Sequence, residues 1–112
     1  MTKQHDISEA KQKLFNHHSD VCKQALELMV KKNNDYATGG DPFANFRRGE
    51  VFELCSVEVG ILLRMTDKLS RLSTFAKDGK LTVDNEGYND AIVDIINYCV
   101  LFSAYVKSKS EK

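Results

Sequence analysis

The stretch that most constrains this chain runs from Glu50 to Phe75, EVFELCSVEVGILLRMTDKLSRLSTF. Its periodicity predicts one long helix. At about 100° per residue, Glu50, Glu53, Val57, Gly60, Arg64, Asp67, Lys68 and Arg71 share one stripe. Leu54, Ile61, Leu62, Met65, Leu69 and Leu72 fill much of the remainder, so the helix is also expected to be core. A core helix usually turns its charges to water. Here acids, bases and a Gly share one face. Gly60 costs roughly 1 kcal/mol against Ala inside a helix, which points to close approach by another helix or a ligand. Asp78-Gly79-Lys80 supplies the stop, with Gly79 suited to a left-handed cap.

A second polar stripe follows. Glu86, Asp90, Asp94 and Asn97 lie within about 80° of each other on a last helix expected to run to about Lys107. Thr82 or Asp84 can cap it, and Glu86 suits its first turn. Its other sides (Ala91, Ile92, Ile95, Ile96, Val100, Leu101, Phe102, Val106) are apolar nearly all round. Such a helix is buried on most sides. Three helices of a short chain do not achieve that alone, so a homodimer or homotetramer is expected. Ile92 to Val106 is the most apolar segment. It is short for a membrane span and carries Asp94 and Asn97, so no membrane partner is expected. The residues from about 107, KSKSEK among them, read as a flexible tail.

Upstream, Asp6 and Glu9 resemble a capping box that opens a first helix ending near Lys32. His17 and His18 fall mid-helix and read as exposed or satisfied, without a partner four residues on. The next segment, Lys32 to Arg48, reads KNNDYATGGDPFANFRR. Its Asn, Gly-Gly and Asp-Pro signals break any period, so it reads as a long irregular loop. Tyr36, Phe43 and Phe46 stand there beside Asn33, Asn34, Asp35 and Asn45. Rings that stack and amides that read donors and acceptors suit a nucleobase. The other reading has the Phe side chains plugging the core while Asn and Asp make turns.

With 112 residues, 42% hydrophobic and 29% charged, the chain reads as a single all-α domain over 1–112. The expected architecture is a small bundle of three main helices, with a long loop after the first. A formal net charge of +0 gives no footprint for nucleic acid. Cys22, Cys55 and Cys99 are far apart with no CxxC pair, which predicts buried, reduced thiols and a cytoplasmic protein. The N-terminus has no apolar run, so no signal peptide is expected. No GxxxxGK[ST], GxGxxG or Ser/His/Asp signature is present.

Carboxylates on neighbouring helices suit Mg²⁺, a hard cation that shares its oxygen ligands between carboxylates, waters and phosphates. Asp67, Asp90 and Asp94 are the expected metal ligands, with Mn²⁺ as an alternative ion. Glu53, and Glu50 with it, can join them, Glu53 as ligand or base. Arg64, Lys68 and Arg71 are the expected phosphate holders. Asn34, Asp35, Tyr36, Asn45, Phe46 and Asn97 are the expected base and sugar contacts. Against this stands the plainer arrangement, in which Arg64, Asp67, Lys68 and Arg71 pair along a helix surface at roughly 0.2–0.5 kcal/mol per pair.

These residues resemble a family. KNNDYATGGDPFANF, then Gly60 with RMTDKLSRL, then Asp90, Asp94, Asn97 and Tyr98, is similar to the phage and bacterial nucleotide modification associated domain. The likeness covers about Lys32 to Tyr105. That family looks distantly related to the MazG-like nucleoside triphosphate pyrophosphohydrolases. The relation implies an oligomeric helical bundle that uses Mg²⁺ to cleave between the α and β phosphates of nucleotides, modified deoxynucleotides included. Glu50 and Glu53 stand where those enzymes carry ExxE. Asp90 and Asp94 replace the second element, one residue wider. Two other functions fit the same residues: a nucleotide-binding or sequestering module without turnover, and a helical interaction protein with no small ligand.

Overall fold

The computed structural model describes residues 3–36, 40–80 and 87–111, except for the side chains of 3–7 and 34–36. The chain is all-α, as expected, and the described residues form four helices, a short one added to three main ones: α1 Lys3–Tyr36, α2 Ala44–Val51, α3 Val57–Asp78 and α4 Tyr88–Ser110. Both ends of α1 lie beyond the bounds read from sequence. The long loop is correspondingly short, since α1 takes its first residues and α2 its last. Asp6, the expected cap of α1, is inside the helix and its side chain lies outside the described residues. Thr82, Asp84 and Glu86, expected at the start of α4, also lie outside them. The helix itself begins after Gly87 and has Asp90 in its first turn.

The single helix expected across Glu50–Phe75 is two helices. Glu53 takes φ 58°, a left-handed conformation unfavourable for an L residue. The N–H groups of Phe52, Glu53, Leu54 and Cys55 fold back onto the carbonyls of Arg48, Glu50 and Gly49. Gly49 makes room for this, because a Cβ there would stand 3.0 Å from Cys55 Sγ. Ser56 then caps α3, its Oγ accepting the Val59 N–H at 3.2 Å, with Glu58 in the first turn. The reversal lays α2 over α3. Phe43 meets Tyr105 edge-on at 5.2 Å, and Phe46 meets Tyr98 edge-on at 6.4 Å. Phe46 also covers Gly60, where an added Cβ would touch its ring at an ordinary 3.5 Å. Neighbouring-helix contact is therefore what Gly60 meets, and it is not close enough to require Gly.

α3 and α4 form an antiparallel hairpin. Glu58 pairs with Lys109 at one end, Lys68 with Asp94 in the middle, and Phe75 packs on Tyr88 at the other end. Gly79 closes α3 at φ 73°, its N–H donating to the Phe75 carbonyl. Beyond Lys107, the expected start of the flexible tail, α4 continues to Ser110, and Lys109 lies over the Tyr105 ring.

The buried residues form two small cores. Val57 and Ile61, fully buried, pack with Phe43 and Tyr105 between α2, α3 and α4. Burying a side chain such as Ile61 is worth roughly 1.5–3 kcal/mol. Val21 and Ala25 of α1 pack with Val93 of α4, flanked by Leu28, Ile92 and Ile96. The N-terminal part of α1, Ser8 to Asp20, is exposed throughout. The radius of gyration is 17.6 Å, against about 13 Å for a compact chain of this size. By length and composition alone α4 is long and apolar enough to cross a membrane, a test that core helices also pass. Cys22 and Cys99 are exposed and Cys55 is half-buried, so the expectation of three buried thiols is corrected.

Candidate functional site

A cavity of about 290 Å³ opens where the two cores meet, near the lower size limit of small-molecule sites. α1 contributes Met29, Lys32 and Asn33 to it. Pro42, Asn45 and Phe46 come from the turn into α2 and from α2 itself. Arg64 comes from α3, and Asp94, Asn97, Tyr98 and Leu101 from α4. Two ring systems and three amides thus sit beside two cations and one carboxylate. Asn97 donates its Nδ2 to the Ala25 carbonyl at 3.0 Å, which fixes α4 against α1 beside the cavity.

A second cavity, about 220 Å³, adjoins it and shares Lys32 and Asp94. Lys68 and Arg71 of α3 face Asp90 and Asp94 of α4 there. The antiparallel hairpin explains the match: Lys68 and Arg71 are three apart, Asp90 and Asp94 four apart, so each set lies on one face of its helix. Asp94 is held from two sides. Lys68 Nζ lies 3.0 Å from its Oδ2, and Lys32 Nζ 3.7 Å from its Oδ1. The side chains of Asp94 and Lys68 are only 17% and 19% exposed, so this pair is shielded from solvent more than a surface ion pair.

The residues expected from sequence divide accordingly. Asn45, Phe46, Arg64, Asp94 and Asn97 meet in the first cavity, and Lys68, Arg71, Asp90 and Asp94 in the second. Arg64, Lys68 and Arg71 therefore do not converge on one point. Asp67 is set apart: its side chain is 66% exposed, pairs along α3 with Arg71 at 3.8 Å, and lines neither cavity. That is the surface pairing weighed above, true of this pair though not of Lys68. Glu53 sits in the reversal between α2 and α3, exposed, and lines neither cavity. Glu50, on α2, is exposed as well. The break at Glu53 removes both from the helix that carries Asp67. Among the described residues no group of three from His, Cys, Asp and Glu is brought together, and Asp67 lies outside the cavity that Asp90 and Asp94 line. Asn34, Asp35 and Tyr36 belong to the last turn of α1, with side chains outside the described residues. His18 does have a partner four residues on: Cys22 Sγ lies 3.7 Å from its Nδ1 on the exposed face of α1.

Asn33, one of the amides noted in the sequence, lines the first cavity, and Lys32, Tyr98 and Pro42 join it without a site role read from sequence. The signal for Lys32 is its spacing. It is seven residues after Ala25 and four after Leu28, so it continues the α1 stripe that packs on α4.

Asp41 stands next to Pro42, a lining residue of the first cavity. Its Oδ1 accepts the Phe43 N–H at 3.0 Å, and its Oδ2 accepts Arg47 Nε at 2.6 Å. The Phe43 N–H first, and the Arg47 guanidinium next, hold its carboxyl below the usual carboxylate range. Arg47 in turn lies over the rings of Phe43 and Tyr105, at 5.9 and 5.6 Å. This cluster fixes Pro42 and the start of α2, and through α2 the position of Asn45 and Phe46.

Comparison with family models, with curated proteins and with solved structures returned no match to this chain.

Proposed function

We propose that this chain is a Mg²⁺-dependent nucleoside triphosphate pyrophosphohydrolase, akin to the nucleotide modification associated domain and distantly to MazG-like enzymes. One observation carries the reading: a ring-and-amide cavity and a cation-lined cavity adjoin and share Lys32 and Asp94. A nucleotide has the same two halves. Phe46 and Tyr98 would face the base, and Asn45 its edge or the sugar. Arg64, at the wall of the first cavity, and Lys32, common to both, would neutralise the phosphates nearer the sugar. Lys68 and Arg71 would take the distal phosphates, Arg71 with a planar fork suited to two oxygens.

Asp90 and Asp94 fit a Mg²⁺ ion in the limited way such sites require, since one or two carboxylates suffice when phosphates and waters supply the other ligands. When bound, the ion would offset phosphate charge and favour a water nucleophile. Water would add at the α phosphorus, and the bond to the bridging oxygen would break, releasing a monophosphate and pyrophosphate. Lys68, once phosphate is present, has an anionic partner other than Asp94. The test is to incubate the protein and Mg²⁺ with ribo- and deoxynucleoside triphosphates, modified bases included, and separate the products. Monophosphate plus pyrophosphate is expected. Asp94→Ala should abolish turnover and keep the helical circular dichroism signal.

A second reading, nucleotide binding without turnover, is favoured by Asp67 standing outside the cavities and by the two lysines on Asp94. It expects nucleotide to raise the melting temperature and to remain intact. In either reading the chain works in the cytoplasm as a homodimer or homotetramer. Support comes from the exposed stripe of α1 carrying Phe15, Leu26 and Val30, and from Leu62, Leu63 and Leu69 on the outer side of α3. So many half-exposed apolar side chains exceed what a monomer usually shows to water. Light scattering at micromolar concentration should give a multiple of 12.7 kDa, and a monomer would refute the assembly.

A further inference from the structure

We propose that the first cavity selects nucleobases bearing an exocyclic amino group, with the side-chain oxygens of Asn33 and Asn97 as its acceptors. The inference rests on the nucleotide reading above and names the class of base.

Both amides are tethered. Asn97 donates Nδ2 to the Ala25 carbonyl, and Asn33 donates Nδ2 to the Met29 carbonyl, each at 3.0 Å. A main-chain carbonyl only accepts. Neither amide can turn over without losing its bond and setting oxygen against oxygen. An untethered Asn presents whichever end a ligand prefers and discriminates little. A tethered one presents a fixed end. Here that end is Oδ1, which accepts no bond among the described residues in either case.

Both anchors lie on α1, and Ala25 and Met29 are four residues apart, so the two amides are held from one face of that helix. Asp94, the one carboxylate lining the cavity, is already held by two lysines. Adenine offers an amino group at C6 and cytosine one at C4. Hypoxanthine, uracil and thymine place a carbonyl there, which would leave oxygens facing one another unpaired in a half-enclosed space. Sites that hydrogen-bond one group reject analogues lacking it more strongly than shape alone allows.

The experiment is calorimetric binding of dATP against dITP, and of dCTP against dUTP, with Ca²⁺ in place of Mg²⁺ to hold back turnover. Each pair differs in the amino group and the ring tautomer that goes with it. The amino member should bind about tenfold more tightly. In Asn33→Ala, whose lost bond lies within one helix, the ratio should fall towards one while the melting temperature stays near that of the parent. Equal binding within both pairs, or preference for dITP and dUTP, overturns the selection and leaves the nucleotide reading standing. Binding of none of the four overturns the nucleotide reading itself. An unchanged ratio in Asn33→Ala overturns the role given to that residue.

Discussion

The two cavities share a wall and differ in what they offer. The first presents Phe46, Tyr98 and three amides, with Arg64 as the one cation not shared with the second. The second presents Lys68 and Arg71 against Asp90 and Asp94, with little but Leu28 and Ala91 for a ring to touch. One α4 stripe (Asp90, Asp94, Asn97, Leu101) runs through both, and α3 answers it with Arg71, Lys68 and Arg64 in antiparallel order. What separates the two cavities is α2: it packs beside Tyr98 and brings Phe46 there. A chain with the same α3 and α4 but no reversal at Glu53 would keep the charged cavity and lose the aromatic one.

Phe46→Ala should damage the first cavity and spare the second. It removes the wall of one cavity, the contact with Tyr98 and the cover of Gly60, at about 2 kcal/mol of stability for a half-buried ring, read from urea midpoints. Base stacking worth about 1–3 kcal/mol should go with it. Inorganic triphosphate should still bind, since the second cavity is untouched; loss of both ligands in a folded variant would mean that the cavities are not separable. Lys68→Met is the converse. Lys32 still faces Asp94, the fold should hold, and affinity for triphosphate should fall about tenfold while a nucleoside without phosphates binds as before.

The sequence is legible where one helix faces another and illegible where the chain turns. Asp94, Asn97, Arg64 and Lys68 sit on stripes set by helical spacing, and those stripes do face cavities. The break at Glu53 escaped periodicity because Glu50 and Val57, on either side of it, keep a spacing that one helix would also give. The signals for it are local: Gly49, whose missing Cβ admits Cys55, and Ser56 as cap ahead of Glu58. Asp67 shows the other limit. A stripe about 100° wide has a centre and an edge, and Asp67 lies at the edge, where Arg71 pairs with it in solvent. The α1 face carrying Phe15, Leu26 and Val30 was not read as unpartnered, because packing on one side of a helix says nothing of the other.

Gly60→Ala sharpens the comparison from the structural side. An added methyl would meet Phe46 at 3.5 Å, an ordinary contact, and would recover about 0.5–1 kcal/mol of helix propensity. A raised melting temperature with unchanged nucleotide affinity is expected. A lowered affinity would mean that Phe46 has no slack, and that the first cavity is set by this contact as much as by Asp41.

The smallest effect is the dependence of α2 on acid. Asp41 has a folded-state pKa below its unfolded one, because it accepts the Phe43 N–H and the Arg47 guanidinium. Between those two values the unfolded state binds more protons. The contribution is therefore fully present above the unfolded carboxylate range and is lost as pH falls through the folded value. Glu58 behaves alike at the same end of the hairpin, its carboxyl lowered by the bond from Lys109, which like Arg47 lies over Tyr105. Asp41→Asn should flatten only its own share of the acid loss, seen as a smaller difference in urea midpoint between pH 6 and pH 3. Glu58→Gln separates the two carboxylates: it should change the acid slope of stability and leave nucleotide binding alone, whereas Asp41→Asn, by loosening Pro42 and the start of α2, should weaken base binding at pH 6 and leave inorganic triphosphate binding as it was. Equal effects on both ligands would show that Asp41 braces the whole hairpin rather than one cavity.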